Sequence, residues 1–200
     1  MIYFTSDQHF MHENVLRSRP VFSSIDEMDE ALIENWNKTV HQNDTVIIVG
    51  DLFYRNRSDP AEYLKILKGK KILVKGNHDL SWLKHLSDEE MRRYFESISE
   101  FYALKRDKVK LRFCHYPMIS WESSRHGSIL ICGHIHGRKD GFEVEMFKKV
   151  PFAFNAGVDI NDYKPVTLAE LIENNIIFYG REYSEEECQY LQHCGKAFSK

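Results

Sequence analysis

Long apolar runs are missing from this 200-residue chain: none approaches the roughly 18 residues a membrane-crossing helix needs, which excludes such a span. An excess of one charge sign is missing too. The 27 basic and 30 acidic residues are mixed along the sequence and leave a formal net charge of −3, so there is no strong signal for nucleic acid or an anionic membrane surface, while small phosphorylated substrates stay open. Cysteine is scarce, with four residues, and the positions of Cys114, Cys132, Cys188 and Cys194 suit neither a zinc knuckle nor a disulfide framework, so they read as reduced thiols. Met1-Ile2-Tyr3-Phe4-Thr5-Ser6-Asp7 lacks a basic region followed by an apolar stretch and reads directly into a strand, so the expectation is a cytoplasmic protein without a signal peptide. No internal repeat, low-complexity segment or linker interrupts the chain. Residues 1–200 are therefore expected to form a single domain, and 42% hydrophobic content supplies a sizeable core.

Short apolar runs alternate with capped amphipathic stretches, the pattern of an α/β domain. Residues 2–6, 46–49, 71–75, 110–114, 128–132 and 152–155 read as buried strands. Ser24-Ile25-Asp26-Glu27 predicts a capping box; Met28, Leu32, Ile33 and Trp36 behind it share one face of a helix over 25–40. Asp59 before Pro60 marks another helix start, and Ser87-Asp88-Glu89-Glu90 and Thr167-Leu168-Ala169-Glu170 repeat the capping-box logic. Ser184 is expected to open a last short helix.

Four short phrases and one histidine carry the chemistry: Asp7-Gln8-His9, Gly50-Asp51, Gly76-Asn77-His78-Asp79, His115, and Gly133-His134-Ile135-His136. Each follows immediately after an apolar strand, and in α/β sheets ligands collect outside the carboxyl ends of strands. Imidazole nitrogens with carboxylate or amide oxygens suit a pair of borderline divalent ions, with no thiolate required, and Asp51 is placed to bridge both. Asp7 and His9, like His134 and His136, stand two residues apart, so in extended chain each pair projects to one side. Gly50, Gly76 and Gly133 permit turns or a close backbone approach.

In this order the phrases resemble the signature of the calcineurin-like metallophosphoesterase superfamily: Asp-x-His, Gly-Asp, Gly-Asn-His-Asp/Glu, His and Gly-His-x-His. The match spans Asp7 to His136. The local phrase Phe10-Met11-His12-Glu13-Asn14 resembles a subgroup of small bacterial and phage phosphoesterases. The resemblance implies a four-layer α/β/β/α sandwich with mixed sheets and a two-metal site at one edge. One ion takes Asp7, His9 and His136, the second takes Asn77, His115 and His134, and Asp51 bridges them. It implies hydrolysis of a phosphodiester or phosphomonoester, nucleotides included, by in-line attack of a metal-bridging hydroxide, chemistry that two ions about 3.5–4 Å apart can support. Manganese is the first expectation in vitro, with iron, nickel and zinc compatible with the same donors. His78 is, by the resemblance, a general acid or electrostatic stabiliser rather than a ligand. Asp79 either orients His78 or caps a helix beginning near Leu80.

The phosphoprotein-phosphatase branch extends the second phrase, and Gly50-Asp51-Leu52-Phe53-Tyr54-Arg55-Asn56 matches it at Arg55, which would grip phosphate, but departs at Tyr54 and Asn56. That departure argues against a protein phosphatase. Arg57, Arg125 and Arg138 are rival anion binders, and His12 either contacts substrate or serves a loop or helix-cap role. Residues 116–126, mixing aromatics, hydroxyls and charge, read as the substrate-facing loop, and Asn155-Ala156-Gly157-Val158-Asp159-Ile160 as a pocket rim without a catalytic part. The alternative to a hydrolase is a non-catalytic metal-binding scaffold of the same fold, which the presence of His78 disfavours. Oligomeric state is open.

Overall fold

Val46 and Ile48 face a layer of helices while Ile47 and the following Val49 face a second sheet, and this two-sided burial organises the fold. The computed structural model describes residues 1–54 and 59–199. Strands β1 (Ile2–Thr5), β2 (Thr45–Ile48), β3 (Lys70–Val74) and β4 (Phe95–Ser99) form one sheet in the order β1-β2-β3-β4, parallel throughout. Strands β5 (Tyr102–Arg106), β6 (Val109–Phe113), β7 (Ile129–Cys132) and β8 (Ala153–Asn155) form a second in the order β5-β6-β7-β8, in which only β5 runs antiparallel to its neighbour.

Phe4, Ile47, Ile72 and Val74 of the first sheet meet Leu111, Phe113, Ile129, Ile131 and Phe154 of the second in one core. On the first sheet's outer face lie α1 (Ile25–Thr39), α2 (Pro60–Ile66), α3 (Asp79–Leu83) and α4 (Asp88–Tyr94), burying Met28, Leu32, Trp36, Leu64 and Trp82. On the second sheet's outer face α5 (Phe142–Lys148) buries Val144 and Phe147. The layers are thus α/β/β/α. Helices α6 (Leu168–Tyr179) and α7 (Glu185–Ala197) pack together along the side, with α6 touching both β1 and β8. No described helix is long and apolar enough to cross a membrane.

Ser87, Thr167 and Ser184 each form a complete capping box. At α1 only half of the expected box exists. Ser24 accepts from the Glu27 backbone N–H, but the Glu27 carboxylate turns back one residue further and accepts from the Ser23 backbone N–H at 2.7 Å. The helix opened by Ser184 is 13 residues long rather than short, because Leu191, Cys194 and Ala197 along it are buried. Three elements lacked a readable signal. Strands β4 and β5 are short and half-exposed, so no apolar run marks them, and α5 starts from Gly141 with no side-chain cap.

The carboxyl end of β8 is held by buried asparagines. Asn175 accepts from the Asn155 backbone N–H (2.7 Å) and donates to the Asn155 carbonyl (2.9 Å) and the Leu171 carbonyl (2.8 Å), taking the place of a missing neighbour strand. Asn155 in turn donates to the His136 carbonyl at 2.8 Å, which links this network to the candidate site. Buried backbone groups left unpaired cost about 1–3 kcal/mol each. Asn175→Ala is therefore expected to lower the unfolding free energy by about 2–4 kcal/mol, read as a reduced urea midpoint with an unchanged slope.

Candidate metal centre

Beyond the ends of β1 and β2 the two chains stay in register as loops. The N–H groups of Asp7, His9 and Phe10 donate to the carbonyls of Gly50, Asp51 and Leu52, each at 3.0 Å. The expected extended geometry is not what aims the side chains. Asp7 (φ 58°), His9 (φ 53°), Asp51 (φ 55°), His134 (φ 72°) and His136 (φ 51°) all adopt left-handed backbone, which curls the chain and turns each side chain into one cleft. Aspartate and histidine tolerate this region better than most residues, and strain of this kind concentrates at functional sites. Close approach explains two glycines: a Cβ at Gly133 would collide with Ser6 Oγ and stand 2.6 Å from Asp7 Oδ2, and one at Gly76 would stand 2.8 Å from the Asp51 nitrogen.

All seven residues expected as ligands converge, in two sets. In the first, His9 Nε2 and His136 Nε2 lie 3.2 Å apart on stacked rings, and stand 3.9 Å and 3.8 Å from Asp7 Oδ1. In the second, Asn77 Oδ1 lies 3.2 Å from His115 Nε2 and 3.1 Å from His134 Nδ1. Asp51 Oδ2 stands between them, 3.7 Å from His9 Nε2 and 3.4 Å from His115 Nε2. His78 Nε2 is 3.9 Å from the same oxygen, and the His78 backbone N–H donates to Asp51 Oδ1 at 2.9 Å.

The residues fit divalent ions on two counts. Donors held about 2.0–2.2 Å from a shared ion stand about 3.0–3.4 Å from one another, the range of the His9–His136, His115–Asn77, His134–Asn77 and His115–Asp51 spacings, while the other carboxylate–histidine spacings are a few tenths of an ångström longer. The cluster also draws positive charge to itself. Burial opposes protonation of His115, yet Asp51, Asp7 and the Val49 carbonyl together raise its pKa to about 9. Burial opposes ionisation of Asp51, yet His115, His9 and the His78 N–H hold it down to about 2. Burial and His136 push His9 well below the ordinary imidazole value, as burial and His115 lower His134. Asp7 and Asp51 are 0% and 1% exposed, and a buried carboxylate needs hydrogen-bond donors or cations around it.

Supporting groups fix the donors. His115 Nδ1 meets the Val49 carbonyl at 2.8 Å, so Nε2 is the atom presented to the cleft. His136 Nδ1 meets Asp159 Oδ2 at 3.2 Å, and the fully buried Arg19 grips Asp159 through two nitrogens at 2.7 and 3.1 Å. Arg19 also donates to the Asp7 and Gln8 carbonyls at 2.6 and 2.8 Å. Against the cost of burial, His136 and Arg19 hold the Asp159 carboxyl below the usual carboxylate range. Neither Arg19 nor Asp159 was singled out from the sequence as a site residue. The one available signal is that Asp159, like the four phrases and His115, follows a strand end, in the segment read as a pocket rim.

Asp79 takes neither of its two expected roles. It is the first residue of α3, and its buried carboxylate accepts from the backbone N–H of Gly76 (2.7 Å), Asp51 (2.8 Å) and Leu52 (3.0 Å) and from Trp82 Nε1 (2.8 Å). It clamps the β2 loop to the β3 loop, and all four of these partners, among the described residues, are groups other than the His78 ring.

The expected substrate residues separate. His12 joins the site, its ring stacked on Tyr54 at 3.5 Å and 5.1 Å from His9, with burial and the nearby His78 lowering its pKa to about 4. Arg125 is exposed in the 3-10 turn Ser124–His126, and among the described residues it makes no hydrogen bond or ion pair with the cluster. Arg138 is paired with Glu143 at 2.9 Å. Arg55 and Arg57 lie outside the described residues.

The calcineurin-like phosphoesterase family profile matches residues 1–190. An uncharacterized protein of Methanocaldococcus jannaschii is 31% identical over 176 residues, covering 86% of this chain and 89% of its own length. The gene 66 protein of Mycobacterium phage L5 is 26% identical over 158 residues, 67% of this chain and 76% of its own. Among solved structures, a protein of unknown function from Aquifex aeolicus is 29% identical and superposes with a TM-score of 0.62, covering 83% of this chain and 94% of that one.

Replacing one acceptor oxygen of Asp79 by an amide would set N–H against N–H. Asp79→Asn is expected to lower the unfolding free energy of the metal-free protein by about 2–4 kcal/mol in urea. A loss under about 0.5 kcal/mol would show that the clamp between the two loops does not hold them.

Proposed function

Because the chain belongs to the calcineurin-like phosphoesterase family, we propose that it hydrolyses a phosphoester with two divalent ions, one held by Asp7, His9 and His136, the other by Asn77, His115 and His134, with Asp51 shared. The observation that carries this reading is the position of Asp51 Oδ2, within 3.7 Å of a ring nitrogen from each donor set. Ions bound at these donors would supply Lewis acidity towards a phosphoryl oxygen and an activated water for in-line displacement.

The chain's own side chains do the remaining work. Asp7 and Asp51 supply the buried negative charge that retains cations. Asp159 at His136 Nδ1 and the Val49 carbonyl at His115 Nδ1 fix the ring orientations, leaving each Nε2 to face the cleft. His78, 33% exposed at the mouth with its Nε2 3.9 Å from Asp51 Oδ2, is in this reading the group that hands a proton to the departing ester oxygen. Asp79 acts through the loops it clamps and is a positioning residue. Diesters and monoesters are both within the reach of this chemistry, and manganese is the ion for the first test, with iron, nickel and zinc sharing its donor preferences.

The test is hydrolysis of a nitrophenyl phosphodiester and the matching monoester by metal-stripped protein, with and without manganese. Manganese is expected to restore turnover, and His78→Ala to retain the metals while losing about 10²–10⁴ in rate. Absence of turnover of either ester with any divalent ion sinks the reading. Asp51→Asn should abolish turnover and weaken both ions in calorimetric titration. Asp159→Asn should weaken one of the two ions by about 10–100-fold in chelator competition while leaving the other in place.

A further inference from the structure

Beside the donor cluster, between the loop after β6 and helix α5, lies a cavity of about 220 Å³. Its lining includes Tyr116, Met118 and Ile119 of the loop, Met146 and Val150 of the helix and its end, and His134 of the donor cluster. The His134 ring therefore has two neighbours of different kinds. Its Nδ1 meets Asn77 Oδ1 at 3.1 Å in the cluster, while its ring meets Tyr116 edge to face at 4.8 Å in the cavity. Among the described residues, apart from His134 and Glu143, whose carboxylate is taken by Arg138, every lining side chain is apolar or aromatic, and no lysine or arginine is among them.

Ile119 is 75% exposed and Tyr116 47%, an apolar display at the mouth that the fold itself does not use. An apolar cavity of about 150 Å³ is enough for a benzene-sized ring. The space here therefore takes one substituted ring and is too small for a long acyl chain. The two methionines add adaptable, polarisable walls. With no cationic side chain among the described lining residues, none of them would pair a second phosphate there.

We propose that this cavity receives the organic group of the ester while the donor cluster holds its phosphoryl group, so that the substrate class is a phosphoester bearing one flat, apolar ring. The inference rests on the phosphoesterase reading, and the experiment separates the two. Binding of phenylphosphonate and methylphosphonate to the manganese-loaded protein is measured by calorimetry, for the wild type and for Met146→Trp, which fills the cavity. The wild type is expected to bind phenylphosphonate at least about tenfold more tightly than methylphosphonate. Met146→Trp is expected to remove that preference and leave methylphosphonate within about twofold of the wild type. Equal affinities in the wild type overturn the ring pocket and leave the phosphoryl site standing. A preference that survives in folded Met146→Trp overturns this location for the ring. If neither phosphonate binds, the phosphoryl site fails and the ring pocket with it.

Discussion

Negative charge buried at the carboxyl ends of neighbouring strands is the constraint on which the rest of this structure turns. Asp7, Asp51, Asp79 and Asp159 are all nearly or fully buried within a few residues of strand ends. A buried carboxylate is tolerable only when donors or cations surround it. The chain answers each one differently. Asp79 is satisfied by four N–H donors, and Asp159 by the Arg19 guanidinium and His136. Asp7 receives the Ser6 hydroxyl at 2.8 Å and the His134 backbone N–H at 3.0 Å, and Asp51 the His78 backbone N–H at 2.9 Å. For these last two, hydrogen bonds are fewer and imidazoles stand opposite, so the arrangement keeps an appetite for positive charge, which against burial raises the pKa of His115 and of His136. A site that binds divalent ions is the same electrostatic deficit seen from solution.

Meeting that deficit costs backbone strain. Five of the seven proposed ligands sit at positive φ, and each such non-glycine residue costs on the order of 1–3 kcal/mol. The strain persists because the surrounding structure over-determines it. The β1 and β2 loops continue each other's hydrogen-bond ladder, Asp79 pins the β2 loop to the β3 loop, and Gly133 lets the β7 loop pass directly over Ser6 and Asp7. Behind the loops, rigid buried strands give these contacts something to brace against. Stability and site geometry are therefore coupled at the same residues, so a clamp mutation is felt in both.

The sequence made some of this plain and hid the rest for identifiable reasons. Strand ends followed by Asp, Asn or His were legible because a polar residue directly after an apolar run is a local signal, and the structure does gather those residues in one cleft. The caps at Ser87, Thr167 and Ser184 were legible because both partners lie within four residues. Arg19 and Asp159 were not, since they meet across 140 residues of chain and neither carries a local mark of the pairing. The left-handed turns at Asp7 and His9 were missed for a related reason: alternate spacing fits an extended strand equally well, and only the ladder with residues 50–52 decides against it. For Asp79 both expected roles were local, to the next ring or the next helix turn, whereas its hydrogen bonds also reach back to the loop after β2.

The two donor sets are unequal, and the inequality gives the site a direction. Asp7 and His9 are buried and the half-buried His136 is backed by Asp159 and Arg19, whereas in the second set His115 is buried, His134 half-buried and Asn77 exposed. The first set is braced by Asp159 and Arg19; the second reaches solvent through Asn77 and shares His134 with the apolar cavity. Low exposure strengthens electrostatic attraction and slows exchange, while an open position leaves room for a ligand from outside. In the proposed reading, an ester then arrives over Asn77 and His134, with His78 at the same mouth to meet its leaving oxygen. That order follows from burial alone: the side of the centre that solvent can reach is the side a substrate can reach.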